Sequence, residues 1–97
     1  MDIEEKKKIE DALARYISVL ADSLRQTSHA NDRHAYVAHL AEAAIMFALV
    51  HRGEPLSTLK EKMAAEGRSY GWGYLQGSEG EAAEGAFNEF AALVESL

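Results

Sequence analysis

The chain contains no cysteine, has a single proline, and has neither lysine nor arginine after Arg68. The absence of cysteine excludes disulfides and thiolate chemistry. Because proline occurs only at position 55, few positions forbid a helix. The most apolar stretch, residues 35–50, is interrupted by His39 and Glu42, and it is short for a membrane span. The N-terminal residues also lack the apolar segment of a secretion signal. We therefore expect a cytoplasmic protein that does not bind membranes.

The composition is that of one folded domain. Of the 97 residues, 47% are hydrophobic and 27% are charged, which excludes the low-hydrophobicity composition typical of disorder. We find no internal repeat and no interdomain linker, so residues 1–97 are expected to form a single domain.

The charge is distributed unevenly along the chain. The formal net charge is −6; residues 1–52 carry eight acids and seven bases, net −1, and residues 53–97 carry eight acids and three bases, net −5. An acidic chain is poorly suited to direct nucleic-acid binding, which depends on Lys and Arg. A partner attracted by charge would instead be a basic protein surface that meets the C-terminal half.

The apolar periodicity predicts four amphipathic helices joined by short loops, and hence an all-α, compact four-helix bundle-like domain. Ser28 or Asn31 is expected to cap helix 2, Gly67 to end helix 3, and Ser78 with Glu81 to form a capping box on helix 4. The predicted ranges are 3–26, 32–51, 55–66 and 79–95. The apolar stripe of helix 1 is predicted to contain Ile9, Leu13, Tyr16, Ile17, Leu20 and Leu24. That of helix 4 is predicted to contain Ala83, Phe87, Phe90, Val94 and Leu97.

Helix 2 is apolar on nearly all sides, and such helices are usually buried. We therefore expect it to be the central helix of the bundle. Its buried stripe is predicted to contain Val37, Leu40, Ala44, Phe47 and Ala48.

A connector rich in glycine and aromatic residues lies between helices 3 and 4. Tyr70, Trp72 and Tyr74 alternate with single glycines, so an extended backbone would present all three rings on one side. Such aromatics are frequent in protein-binding surfaces. The alternative is that the rings close one end of the bundle, with their polar tips reaching water or a carbonyl.

His39 and Glu42 are three residues apart and therefore share a helix face. They could form a hydrogen-bonded pair, a proton-transfer pair or half of a metal site. The simpler interpretation is a narrow solvent-exposed strip that also includes Asp32 and Tyr36. Two ligands do not complete a metal site. The sequence also pairs no candidate nucleophile with a general base. We therefore predict no catalytic residue, no metal and no cofactor.

Helix 4 combines an acidic face with small residues. Glu81 and Glu84 belong to that face, which would either keep the protein soluble or dock on a basic protein surface. Gly85 lowers the helix propensity by roughly 1 kcal/mol relative to Ala. Close packing against another helix, within the chain or across a dimer, would explain its presence.

Three functional hypotheses follow from these features. The first is a non-enzymatic protein-interaction or regulatory module, in one version a homodimer, that uses an apolar or aromatic patch including Tyr70, Trp72 and Tyr74. The second is a small acidic inhibitor, resembling an antitoxin or a nucleic-acid mimic in charge, that uses Glu81 and Glu84 to block a basic site on a target protein. The third is a metal or proton-transfer site at His39 and Glu42.

Overall fold

The computed structural model describes the backbone of residues 1–70 and 75–97 and the side chains of residues 1–65 and 75–97. The described residues form four helices and no strands, which confirms the all-α, bundle-like fold class. The helices are α1 (Ile3–Gln26), α2 (Ala30–His51), α3 (Leu56–Tyr70) and α4 (Gly77–Glu95).

α1 and α2 each pack against two other helices, so helix 2 shares the central position expected for it with α1. α1 packs against both α2 and α4, whereas α3 packs mainly against α2. The apolar stripe of α1 is one-sided, and its main members Ile9, Leu13, Tyr16 and Leu20 are buried as predicted. Asp2 is the N-cap residue of α1: its side chain accepts the Glu5 N–H at 2.8 Å and completes a capping box that was not predicted.

Aromatic side chains join α1 to α4 in the core. Tyr16 stacks on Phe90 with ring centroids 6.3 Å apart, and its ring meets Phe87 edge-on at 5.6 Å. Both geometries are favourable for aromatic pairs. Ala83, Phe90 and Val94 are buried as the periodicity of helix 4 predicts, and Phe87 is partly buried. Leu97 is exposed, contrary to the prediction, because it lies beyond the end of the helix at Glu95.

The buried side of α2 differs from the predicted stripe. Leu40 and Phe47 are partly buried against the core, but Val37 is 54% exposed, and Ala44 and Ala48 are exposed as well. The prediction failed at these three residues because a helix with apolar residues on all sides has no asymmetry from which its orientation can be read. The residues of α2 that are buried are Asp32, Ala35, Tyr36, His39, Ala43, Met46 and Val50.

Three predicted helix ends are also wrong. α3 continues through Gly67 to Tyr70, because glycine lowers helix propensity without forbidding a helix. α2 begins at Ala30 without a side-chain cap. α4 begins at Gly77, so Ser78 lies inside the helix and forms no capping box.

Candidate functional site

The exposed side of α2 is the most distinctive surface of the protein. Val37 (54% exposed) and Ile45 (46% exposed) lie two turns apart on it, with exposed alanines around them. Water-exposed apolar surface gathered on one helix face is typical of a contact site. We define the α2 outer face as Val37, Ala41, Ala44, Ile45 and Ala48.

The α2 outer face has no acidic residue. α2 contains two acids: Asp32 is buried, and Glu42 is held by an ion pair with Lys62 of α3. The exposed ends of the helix are basic instead. The bases are Arg33, His34, His51 and Arg52.

The neighbouring acids engage these bases only weakly. His51 Nδ1 lies 3.6 Å from Glu10 Oε1, and an Arg52 guanidinium nitrogen lies 3.6 Å from Glu54 Oε1. Exposed ion pairs of this kind contribute little and exchange readily. The basic ends of α2 are therefore able to meet acids of a partner.

α2 is also long and apolar enough to cross a membrane, judged by length and composition alone. Within α2, 33% of the 18-residue apolar stretch that meets these criteria is buried inside the protein. The core helix of a soluble protein passes the same test, but such a helix is mostly buried. The low burial of α2 therefore points again to its outer face.

α4 presents a second surface of opposite character. Glu81 and Glu84 are exposed, and α4 contains no Lys or Arg. No ion pair in the described part of the chain involves a glutamate of α4. We define the α4 acidic face as the exposed residues Glu81, Ala82, Glu84, Gly85, Glu89, Ala92 and Glu95.

Gly85 packs against none of the residues that the structure describes. It is exposed, and a Cβ added there would meet no atom within 4 Å. The intramolecular explanation for this glycine, close packing against a neighbouring helix, is therefore wrong. The explanation through a second molecule stays a prediction.

A buried polar cluster joins α1, α2 and the start of α4. Ser23 Oγ donates to the Glu79 carbonyl at 2.8 Å, and Asp32 Oδ2 accepts the Gln76 N–H at 3.0 Å. Ser23 and Asp32 are each 2% exposed. The Asp32 bond satisfies the N–H of the residue that precedes α4 and so favours a helix start at this point, while the Ser23 bond holds the first turn of α4 against α1.

Tyr36 is buried beside this cluster. Burial raises its pKa, the negative charges of Glu79 and Asp32 raise it further, and the neighbouring Ser23 hydroxyl offsets part of the rise. A raised pKa keeps the phenol protonated at neutral pH. Tyr36 is therefore poorly suited to act as a nucleophile or base there.

His39 and Glu42 do not form the predicted exposed pair. His39 is fully buried, together with Asp32 and Tyr36, so the interpretation of these residues as a solvent-exposed strip is wrong. Glu42 binds Lys62 on the side of α2 that meets α3. Within the described ranges, no group of three or more His, Asp and Glu side chains is arranged to hold a metal ion.

Three residues of the predicted binding patch belong to the aromatic connector between helices 3 and 4. Tyr70 is the last residue of α3, but its side chain, like Trp72 and Tyr74, lies outside the described residues. The binding role of these three residues stays a prediction.

A shallow groove of about 310 Å³ separates α3 from α4. Met63, Phe87, Ala91 and Val94 form its apolar floor, with Lys60 and Glu95 among its lining residues. The groove was not anticipated from the sequence, because it depends on how far apart two helices lie.

Comparison with protein-family models, with curated proteins and with solved structures found no match for the chain. The fold defines a small all-α bundle.

Proposed function

We propose that this protein is a non-enzymatic protein-interaction module and that the α2 outer face is its docking surface. The observation that carries the proposal is the exposure of Val37 and Ile45 on an acid-free face of a 22-residue helix. Helices commonly dock through apolar residues at this spacing. The aromatic segment with Tyr70, Trp72 and Tyr74 is proposed as a further partner contact of the module.

The face is chemically suited to another amphipathic helix. Fully burying an exposed Val or Ile contributes about 1.5–3 kcal/mol, and roughly half of that is still available at side chains that are half exposed. The alanines Ala41, Ala44 and Ala48 would allow close approach of a second backbone. The basic ends favour a partner helix with acidic flanks.

Site-specific photocrosslinking tests the proposal. A photoreactive phenylalanine analogue at Ala44 is expected to form protein adducts in cells, whereas the same analogue at the exposed α1 residue Ser18 is expected to form few. Ile45→Glu added to the Ala44 probe should remove the adducts, because it would place an ionised side chain in the contact.

Membrane binding is the outcome that would contradict this assignment. If the protein floats with phosphatidylcholine vesicles and Ile45→Glu abolishes flotation, the α2 outer face binds lipid rather than protein. Absence of adducts at Ala44 in every growth condition tested would also reject the proposal.

A second candidate function, a small acidic inhibitor of a basic target, is favoured by the α4 acidic face. The face carries four glutamates and no base. Attraction by such a face would be screened by salt. A target that is captured equally well at low and high salt, or by a Glu81→Gln/Glu84→Gln variant, would contradict this function.

A further inference from the structure

We infer that the partner of the α2 outer face is the α4 acidic face of a second copy of this chain. The inference rests on the proposed function, in which the α2 outer face is a docking surface. The contact is heterologous, since each copy uses one face to bind and offers the other face to the next copy.

Charge complementarity selects α4 over a second α2. Pairing of two α2 helices brings bases against bases in either orientation: Arg33 meets Arg33 of the other copy when the helices are parallel, and Arg52 of the other copy when they are antiparallel. The α2 outer face contains no acid that could offset this repulsion. The α4 acidic face contains no base, so every charge across an α2–α4 contact is opposite in sign.

The lengths of the two faces also correspond. At a rise of 1.5 Å per residue, Arg33 and Arg52 lie about 29 Å apart along α2, and Glu81 and Glu95 lie about 21 Å apart along α4, a difference that the two long arginine side chains can span. Bases at both ends of α2 would therefore lie near acids at both ends of α4.

The large side chains of the α2 outer face and the small residues of the α4 acidic face have similar spacings along their helices. Val37 and Ile45 lie about 12 Å apart along α2, and Gly85 and Ala92 lie about 10.5 Å apart along α4. A side chain on one helix packs where the other helix has little or none. The contact thus supplies a role for Gly85, because a Cβ at this position would contact none of the described residues of its own chain.

A mixing experiment with two single variants tests the inference. Ile45→Glu blocks the α2 outer face and leaves the α4 acidic face intact. Gly85→Lys blocks the α4 acidic face and leaves the α2 outer face intact. Neither position is buried, so both variants should fold, which circular dichroism would verify. Ser18→Glu and Ser18→Lys on α1 are the matched charge controls.

Light scattering after size-exclusion chromatography should show that wild-type protein and both Ser18 variants increase in mass with concentration at low salt. Each blocked variant alone should associate at least about tenfold more weakly, because a loss of 1.4 kcal/mol in the free energy of association corresponds to a tenfold weaker affinity. An equimolar mixture of the two blocked variants should form a one-to-one complex that grows no further, because only one compatible pair of faces remains.

Two results would overturn the inference. Self-association that survives in Gly85→Lys and is lost in Ile45→Glu would mean that α2 pairs with α2. A wild-type protein that stays monomeric at every concentration would mean that the partner is another molecule. In either case adducts at Ala44 would still support the proposed function, whereas their absence would remove both.

Discussion

The Asp32 carboxylate accepts the backbone N–H of Gln76 at 3.0 Å, across 44 residues of sequence. This bond ties the first turn of α2 to the residue that precedes α4. Asp32 is buried, and the N–H it binds belongs to the N-cap residue of α4. The bond therefore connects the helix that carries the proposed docking surface with the helix that carries the acidic face.

Removal of the Asp32 carboxylate should destabilise the fold. Asp32→Ala leaves the Gln76 N–H without its acceptor and should lower the free energy of unfolding by about 1.5–3 kcal/mol, the range for hydrogen bonds to charged groups. Asp32→Asn keeps an acceptor oxygen and should cost less. Urea denaturation followed by circular dichroism measures both changes, and equal losses in the two variants would contradict the role of the acceptor.

Tyr36 should make the fold sensitive to alkaline pH. Since its pKa is raised in the folded state, the folded protein keeps a proton that the unfolded chain releases near pH 10. The stability due to this proton is complete below about pH 10 and is lost as the pH rises toward the folded pKa.

Tyr36→Phe removes this contribution and should lose less stability than wild type between about pH 9 and about pH 11. The midpoints of urea denaturation, measured across this pH range, compare the stability of the two proteins. Lysine side chains also titrate in this range, but they are the same in both proteins and so do not affect the difference. Parallel pH profiles would show that Tyr36 ionises with an unshifted pKa.

Two glycines of α4 should respond in opposite directions to the same change. Gly85→Ala should stabilise the isolated molecule by about 0.5–1 kcal/mol, because Ala favours helix and the added methyl group meets nothing. Gly80→Ala should destabilise it by about 1–3 kcal/mol, because a Cβ there would lie 2.8 Å from the Leu75 carbonyl oxygen.

Thermal unfolding of both glycine variants at a low protein concentration provides the measurement. A shift of about 4–8 °C corresponds to 1 kcal/mol in a domain of this size. Stabilisation by Gly80→Ala, or destabilisation by Gly85→Ala, would show that the packing around α4 differs from that described.

Adjacent residues of α2 should differ sharply in tolerance to charge. Ile45 lies on the outer face, so Ile45→Glu should lower the free energy of unfolding by no more than about 1 kcal/mol. Met46 is fully buried, so Met46→Glu should cost about 3 kcal/mol or more by burying an unpaired charge. Chemical denaturation of the pair checks the orientation of α2, and similar losses would place both residues on the same side.

The sequence determined the four helices, the buried face of α1, much of that of α4 and the exposure of Glu81 and Glu84. The apolar residues of α1 recur on one side at helical spacing, and a one-sided pattern has only one orientation that buries it. The charge asymmetry was equally readable, because it needs no knowledge of the fold.

Only the tertiary structure decided how α2 is oriented, that α1 and α2 share the centre of the bundle, and that His39 is buried. A helix that is apolar on all sides can bury several of its faces at similar free energy. Packing against the neighbouring helices therefore determines which face is buried. The start of α4 likewise depends on Asp32, whose contact with Gln76 is a long-range pairing. Local periodicity carries no information about such pairings, since it records only residues within a few turns of each other.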